Sequence, residues 1–324
     1  MKTSKLLLAA TLLWITSLPA LAQVNDTYVI PVTANARGAF GTHWMTRFSI
    51  FNPHLDYPLV VRVAFLPSGG ATGPMESIEL PPNALAYSDN LLEDLYGITS
   101  GSGSLLVATF PEDNPGVPDS VLARGFLVTS DTFNNTPNGT FGQTIPGVWT
   151  GLLDYEYGDY GITSIAHGIR NAGVWRTNVG AVNLGRCTAI VYVTAYDADG
   201  NTIRADMPLN VPPFGHIQDR LPVAVENGTV EFSVYDPCAE DDDRYAVVFP
   251  YTSTIDQRTG DPTYQQPTLL ANPSAVYAKG KTIDPLALGK KIDSAYAKRV
   301  MANAEDRGRA YLKKTKEGWQ IQNQ

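Results

Sequence analysis

The chain has few of the residues on which metal and thiol chemistry depends. It contains only 2 cysteines and 4 histidines among 324 residues, and no histidine has a partner at the spacing of a short zinc motif. No G-x-S-x-G motif occurs, and the Ser100–Ser104 segment (SGSGS) is predicted to form a hairpin turn. The sequence therefore indicates no catalytic residue and no transition-metal site.

Lysine is absent from residues 23–278, which carry 27 Asp and Glu against 11 Arg, a net charge of −16. Residues 279–324 carry 8 Lys and 3 Arg against 5 acids, a net charge of +6. A body this negative repels phosphate backbones, so no nucleic-acid binding is expected. The change in charge predicts a boundary near Ala278 between an acidic body and a basic tail.

Long apolar runs are confined to the N-terminus. Two lysines precede an apolar run from Leu6 to Leu18, and an A-x-A arrangement ends at Ala22. This pattern predicts a secretory signal peptide over residues 1–22, because the run is too short to span a hydrocarbon core of about 30 Å. The mature chain is expected to be exported, to the periplasm or the cell exterior, without a transmembrane segment.

Both cysteines lie in the second half of the chain, at Cys187 and Cys238. In an exported protein such a pair predicts a disulfide. Closing the loop of about 50 residues stabilises the fold by roughly 4 kcal/mol in the chain-entropy model.

A duplicated segment organises the body. The segment from Trp44 to Pro82 recurs from Trp175 to Pro213 at a spacing of 131, and its apolar alternation and turns keep their register. The identical pairs are Trp44/Trp175, Thr46/Thr177, Asn52/Asn183, Val60/Val191, Ala64/Ala195, Gly69/Gly200, Pro81/Pro212 and Pro82/Pro213. We expect the two tryptophans to be core residues. Gly139–Gln143 is matched with Asp261–Gln265 in the same way.

About seven short strands per unit, with a turn signal every 8 to 12 residues, are typical of an immunoglobulin-like sandwich. We therefore predict an all-β chain of two tandem immunoglobulin-like antiparallel β-sandwiches, over residues 23–150 and 151–272. A basic tail follows over residues 273–324. Its apolar residues recur every four positions from Leu288 to Val300, which predicts an amphipathic helix from about Pro285 to Leu312. The alternative is a solvated tail.

Three segments of the first unit resemble a β-sandwich repeat of exported bacterial proteins that is often found in tandem. They are Trp44–Pro53 (W-x-T-x-F-x-I-x-N-P), Leu80–Val107 and Gly139–Gly147. The resemblance covers most of residues 28–147 and less of residues 162–267. It implies export and a non-catalytic module, and it brings no site residues with it.

Carbohydrate binding would use exposed aromatic residues, whose rings offer flat apolar surface. The candidates are Trp149, Tyr155, Tyr157 and Tyr160, at the junction between the units. The alternative is that these rings pack the interface between the units.

Calcium is the one metal for which the sequence offers ligands. The candidates are Asp197, Asp199 and Asn201, together with Glu240, Asp241, Asp242 and Asp243. The first group does not match an EF-hand loop, and Asp199-Gly200 between two strands also predicts a plain hairpin turn. The second group is equally consistent with a solvated acidic loop.

The basic tail is the segment expected to contact a partner, through Lys290, Lys291, Lys298 and Arg299. It could dock on the acidic body of the same or a neighbouring copy, or on an anionic surface such as a membrane or envelope polymer. The sequence thus favours an exported, non-catalytic protein with a structural or adhesive role and a protein partner or self-association. The alternatives are a carbohydrate- or ligand-binding module and an enzyme whose site the spacing does not reveal.

Overall fold

The computed structural model describes residues 25–38, 41–136, 139–149, 163–238, 247–270 and 294–323. The predicted signal peptide lies outside these residues. Strands predominate, which confirms the all-β prediction. Within the described ranges, no helix is long and apolar enough to cross a membrane.

Most elements of the fold are short strands that follow one another along the chain. The first strands are β1 (Thr27–Arg37), β2 (His43–Phe51), β3 (Leu59–Pro67), β4 (Pro74–Leu80), β5 (Leu85–Ser88), β6 (Gly101–Thr109), β7 (Leu127–Thr136), β8 (Gly139–Pro146) and β9 (Val148–Trp149). The next are β10 (Thr163–Ile169), β11 (Trp175–Asn183), β12 (Ala189–Tyr196), β13 (Thr202–Val211), β14 (Gly215–Arg220), β15 (Gly228–Tyr235), β16 (Val248–Asp256), β17 (Pro262–Gln265) and β18 (Thr268–Leu270). The last are β19 (Glu305–Arg309), β20 (Tyr311–Lys314) and β21 (Trp319–Gln322). Helix α1 spans Leu91–Tyr96 and helix α2 spans Ser294–Met301.

The first unit (β1 to β9) and the second unit (β10 to β18) pair their strands in the same order. One layer runs β4-β3-β6-β1-β9 in the first unit and β13-β12-β15-β10-β18 in the second. The other layer runs β5-β2-β7-β8 and β14-β11-β16-β17. In the first unit β1 also pairs with β2, which joins both layers into one sheet. In an immunoglobulin domain the last two strands share a sheet. Here the last two strands of the first unit, β8 and β9, lie in different layers, so the strand distribution differs.

The pairing corrects the register of the sequence repeat in its third strand. Val191 is fully buried, whereas Val60 is half-buried between two core residues, so the gapless match of Val60 with Val191 is wrong by one residue. The pairs that show the shift are Leu59 with Leu80 and Ala189 with Val211. The match of Gly139–Gln143 with Asp261–Gln265 is also wrong, by two residues. Thr132 and Thr254 hold equivalent positions, and their partners on the next strand are Gln143 and Thr263. Gln143 therefore corresponds to Thr263 and not to Gln265.

The buried polar residues repeat more faithfully than the apolar ones. Asn52 Nδ2 donates to the Leu80 carbonyl at 3.2 Å, and Asn183 Nδ2 donates to the Val211 carbonyl, also at 3.2 Å. Each Oδ1 accepts from the backbone N–H two residues later, at 3.0 and 2.8 Å. A buried side-chain amide without these partners would lower the free energy of unfolding by its full desolvation penalty. Both units contain all of these hydrogen bonds. Further equivalent bonds are Thr46 to Thr132 and Thr177 to Thr254, and Asn35 to the Ile98 carbonyl and Asn171 to the Val223 carbonyl.

The predicted disulfide between Cys187 and Cys238 is present, with a Cα–Cα distance of 6.2 Å. It ties the turn after β11 to the end of β15 within the second unit.

One layer of the first unit is buried on both faces. On β6, Leu105 and Val107 point into the core of the first unit, while Leu106 and Ala108 contact the second unit and helix α2. The uninterrupted apolar runs of β1, β3 and β6 follow from this position, because a strand covered on both faces needs no polar side. The residues that complete this inter-unit layer are Val182, Leu184 and Phe249 from the second unit and Tyr296, Ala297, Val300 and Met301 from helix α2.

The tail is helical only in part. The predicted helix from Pro285 to Leu312 is found over Ser294–Met301 within the described residues, and it is wrong beyond Met301, where β19, β20 and β21 follow. Strand β19 pairs in parallel with the edge of β4, and β21 pairs in parallel with the edge of β5. The edges offer unpaired backbone groups, and Gly308 adopts φ +99°, which a helix does not allow.

The basic tail docks on the acidic body of its own chain. Lys298 forms an ion pair with Glu112 at 2.5 Å, and Arg309 forms one with Glu79 at 2.7 Å. Arg299 lies over the ring of Tyr296, 5.2 Å from its centroid. Lys290 and Lys291 lie outside the described residues.

We predict that Ile321→Ala destabilises the first unit. Ile321 is fully buried in the core of that unit, so the truncation leaves a cavity that costs about 2 to 5 kcal/mol. Urea unfolding followed by tryptophan fluorescence measures the change. Lys313→Ala, an exposed position on the neighbouring strand β20, is the matched control and should change the stability by less than about 0.5 kcal/mol. Equal unfolding midpoints for the two variants would contradict the docking of the tail.

Candidate functional site

A cleft of about 490 Å³ lies between the two units. The first unit contributes the ends of β1 and β2 and the turn after β3, and the second unit contributes β11, β14 and β16. Its polar lining includes the hydroxyls of Thr33, Ser68, Ser102 and Ser253 and the amides of Gln143, Asn178 and Gln218. Among the described residues that line it there is no Asp or Glu, although the body carries a large excess of acids.

Arg176 on β11 brings an unpaired positive charge into this cleft. Its Nε atom is buried and has no hydrogen-bond partner, and no ion pair of this residue occurs in the described part of the chain. Burial lowers the pKa of Arg176, and the nearby Arg220 lowers it further. A guanidinium nevertheless remains protonated, so the cleft holds a cation that pairs with no carboxylate among the described residues.

A second polar atom without a partner belongs to Thr33. Its side chain is fully buried on β1, and Oγ1 makes no hydrogen bond. The β1–β6 pairing is irregular between Ile30 and Thr33, so the backbone turns this residue toward the cleft lining. A buried polar atom of this kind can be satisfied by an ordered water or by a bound group.

A chain of hydrogen bonds crosses the junction beside the cleft. Ser68 Oγ lies 2.8 Å from His216 Nδ1, and His216 Nε2 lies 2.6 Å from Tyr251 Oη. Tyr251 donates to Gln218 Oε1 at 3.0 Å, so His216 donates from Nε2 and accepts from Ser68 at Nδ1. Ser102 Oγ, 3.1 Å from Ser68 Oγ, extends the chain on the side of the first unit.

The Ser68–His216 pair is not arranged for nucleophilic catalysis. A histidine base needs a pKa near the working pH and, as a rule, an acid that orients its second nitrogen. Burial lowers the pKa of His216 to about 4, and its second nitrogen faces the phenol of Tyr251 instead of a carboxylate. The pair therefore positions the two units as neutral hydrogen-bonding groups.

Close backbone contact at this junction requires glycine. A Cβ on Gly215 would lie 2.7 Å from the Cα of Gly70, and the Gly69 N–H donates to the His216 carbonyl at 3.1 Å. No sequence pattern indicated that these glycines meet, because they belong to different units.

The two tryptophans that we expected in the cores are half-buried instead. Trp44 lines the inter-unit cleft, and Trp175 lines a smaller groove in the second unit. The prediction of core tryptophans is therefore wrong. Trp44 is the second residue of β2 and Trp175 is the first residue of β11, so both rings lie at the start of equivalent strands.

The structure describes only some of the residues singled out for ligand binding. Trp149 lies in β9, whereas Tyr155, Tyr157 and Tyr160 lie outside the described residues. The acidic group of Glu240, Asp241, Asp242 and Asp243 also lies outside them.

The candidate calcium residues of the second unit form a turn between β12 and β13. Asp197 accepts from the N–H of Asp199 at 3.0 Å, from the N–H of Asn201 at 2.8 Å and from Asn201 Nδ2 at 3.0 Å. These bonds, chiefly those from Asn201, lower the pKa of Asp197. The carboxylate thus serves the turn itself. In the described part of the chain, the one cluster with metal-ligand spacing is Cys187, Asp236 and Cys238, whose two sulfurs form the disulfide.

Comparison with known protein families and with curated proteins finds no match for the chain. Comparison with solved structures finds "Pleurotus Ostreatus Lectin (POL), apo form" at 10% sequence identity and a TM-score of 0.12. The alignment covers 77% of this chain and 84% of that chain. A TM-score this low does not indicate a common fold, so the lectin carries no argument about this chain.

We predict that the free energy of unfolding rises between pH 4 and pH 6.5 because of His216. Its pKa is about 4 when buried and 6.5 in the unfolded chain, so the unfolded chain binds more protons in this range. The full effect is about 3 kcal/mol and is lost as the pH falls through this range. Urea unfolding of His216→Gln at several pH values should show a smaller slope than the wild type. His167→Gln, at an exposed position, should leave the slope unchanged, and an unchanged slope in His216→Gln would refute the assignment.

Proposed function

We propose that the protein is an exported, non-catalytic binding protein whose inter-unit cleft binds a small polar ligand with a carboxylate group. The observation that carries this proposal is Arg176, an unpaired cation with a buried Nε in a cleft without acids among its described lining. The cleft volume of about 490 Å³ falls within the usual range for small-molecule sites.

The chemistry of the lining favours a carboxylate over a neutral ligand. A guanidinium presents two parallel N–H groups to a carboxylate, and such charge-assisted pairs are stronger than neutral hydrogen bonds. The amides and hydroxyls around Arg176 can bind further polar groups, and Trp44 offers a flat apolar face. Binding would also give Thr33 Oγ1 the partner that it lacks within the protein.

We further propose that the protein is exported and that it consists of two modules. The N-terminal pattern of residues 1–22 predicts secretion, and the Cys187–Cys238 disulfide is compatible with an oxidising compartment, the periplasm or the cell exterior. We take the two units as tandem β-sandwich modules, immunoglobulin-like in having two antiparallel layers around one core. The boundaries near residues 150 and 272 agree with the ends of β9 and β18.

We predict that Arg176→Gln weakens carboxylate binding about 10- to 100-fold, since a hydrogen bond to a charged group contributes about 1.5 to 3 kcal/mol. Isothermal titration with trigalacturonate, against neutral galactotriose of the same length, measures the loss. Arg204→Gln removes the same charge from an exposed position on β13 and should bind as the wild type does. Equal affinity of Arg176→Gln and Arg204→Gln would overturn the proposal.

The tail supports a second candidate, a structural role through self-association. Strands β19 and β21 pair with the edges of β4 and β5, more than two hundred positions earlier in the chain. Backbone pairing at an edge can equally come from a neighbouring copy, which would link chains into an assembly.

In that case we expect light scattering after size exclusion to show dimers or larger species of the mature chain. Ile321→Asp, which places a charge in the core position of β21, should dissociate them. Because tail exchange also buries apolar residues, high salt alone should not dissociate the assembly. A monomer at all concentrations would exclude tail exchange.

A further inference from the structure

The second unit has a groove of its own. Its volume is about 350 Å³, and it is lined by β10, β11, β16 and β17. The groove lies on the face of the β11-β16 pair opposite to the cleft, since Thr252 and Thr254 line the groove while Ser253 and Ile255 line the cleft. It is therefore a separate site in the same chain.

This groove occupies the place in the second unit that the cleft occupies in the first. Trp44 lies opposite Asn134 on β7, and Trp175 lies opposite Asp256 on β16. Two residues earlier on the same partner strands are Thr132 and Thr254, which line the two sites. The first strand of each unit is irregular at the same point, before Thr33 in β1 and before Ile169 in β10.

Tyr264 also borders the groove, but its ring lies on the other face of the sheet. Tyr264 pairs with Ser253 on β16, which lines the cleft, and its ring stacks on Tyr251 with the centroids 5.8 Å apart. The side chains that can contact a ligand in the groove therefore come from other residues.

The groove repeats the functional groups of the cleft. Arg170 lies over the ring of Trp175, with its guanidinium carbon 5.3 Å from the ring centroid. Thr254 and Gln265 complete the lining, and the described residues of the groove include no acid. Each site thus combines one indole, one arginine, a threonine at the equivalent position and a glutamine from the strand that pairs with β7 or β16.

We propose that the groove is a second binding site of the same kind as the cleft, and that the ligand is an acidic polysaccharide with repeating uronic-acid units. The ligand class rests on the proposed function of the cleft. The indole packs against the face of a sugar ring, the hydroxyl and amide groups bond its hydroxyls, and the arginine binds its carboxylate. A repeated site within one chain fits a ligand whose own groups repeat.

The charge distribution favours the same ligand. Residues 23–278 carry a net charge of −16, which repels an acidic polymer from most of the surface. The two sites are arginine-bearing concavities without acids among their described lining, so an acidic polymer can bind an arginine there without repulsion from a lining carboxylate. Two sites on one chain would also raise the affinity for a polymer above that for a single short fragment.

The test is calorimetric titration of the full mature chain with trigalacturonate, with a longer oligogalacturonate and with galactotriose as the neutral control. We expect two trigalacturonate sites per chain, at least tenfold tighter binding of the longer oligomer and no comparable binding of galactotriose. Arg170→Gln should remove one site. Arg204→Gln is the matched control.

The outcomes separate this inference from the proposed function. One site that is lost in Arg176→Gln and unchanged in Arg170→Gln overturns the second site and leaves the cleft standing. One site that is lost only in Arg170→Gln overturns the cleft and supports the groove. Equal binding of galactotriose overturns the carboxylate class, and no binding of any probe overturns both sites.

Discussion

The apolar layer between the two units fixes the geometry of everything else. Leu106 and Ala108 of the first unit meet Val182 and Phe249 of the second, and helix α2 closes the layer. Tyr296 on this helix also donates to the Leu184 carbonyl at 3.2 Å. Burial on both faces leaves the β3-β6-β1 layer no freedom to turn away from the second unit, because any rotation would expose close-packed apolar surface. This contact holds the walls of the cleft together with the hydrogen bonds between Ser68, His216 and Tyr251 at the junction.

The two units protect equivalent edges in different ways. In the first unit the edge of β4 is covered by β19, which returns from the far end of the chain. In the second unit the equivalent edge is β13, whose first five residues are all exposed and include Arg204 and Asp206, with Pro208 further along. Charges and proline on an edge strand discourage pairing with another chain. Strand β4 carries charges as well, at Glu76 and Glu79, but its edge is removed by backbone pairing with β19.

The sequence predicted the strand content, the duplication and the disulfide, because periodicity, turn residues and cysteine number are local or countable signals. It failed where a residue's neighbours come from another part of the chain. The apolar spacing around Val300 predicted a longer helix, but the edges of β4 and β5 lie nearby only in the fold, and they pair with residues 305–322. Similarly, Ser68 and His216 are 148 residues apart, and no spacing indicates their hydrogen bond. The one sequence signal for the two sites was the recurrence of Trp44 as Trp175. We interpreted the two tryptophans as core residues, whereas each lines a site.

The repeat also allows the arginines of the cleft and of the groove to be compared. Thr46 Oγ1 accepts a hydrogen bond from the backbone N–H of Ala34, and Thr177 Oγ1 donates one to the backbone carbonyl of Arg170. Ala34 and Arg170 therefore hold equivalent positions in the two units. The second unit thus carries its own arginine beside its tryptophan, whereas the first unit has an alanine there. The packing of the two units places Arg176 of the second unit in the cleft that Trp44 of the first unit lines. The cleft therefore also contains one guanidinium and one indole. A site assembled in this way depends on the inter-unit layer, because displacing the second unit would remove the cation while leaving Trp44 in place.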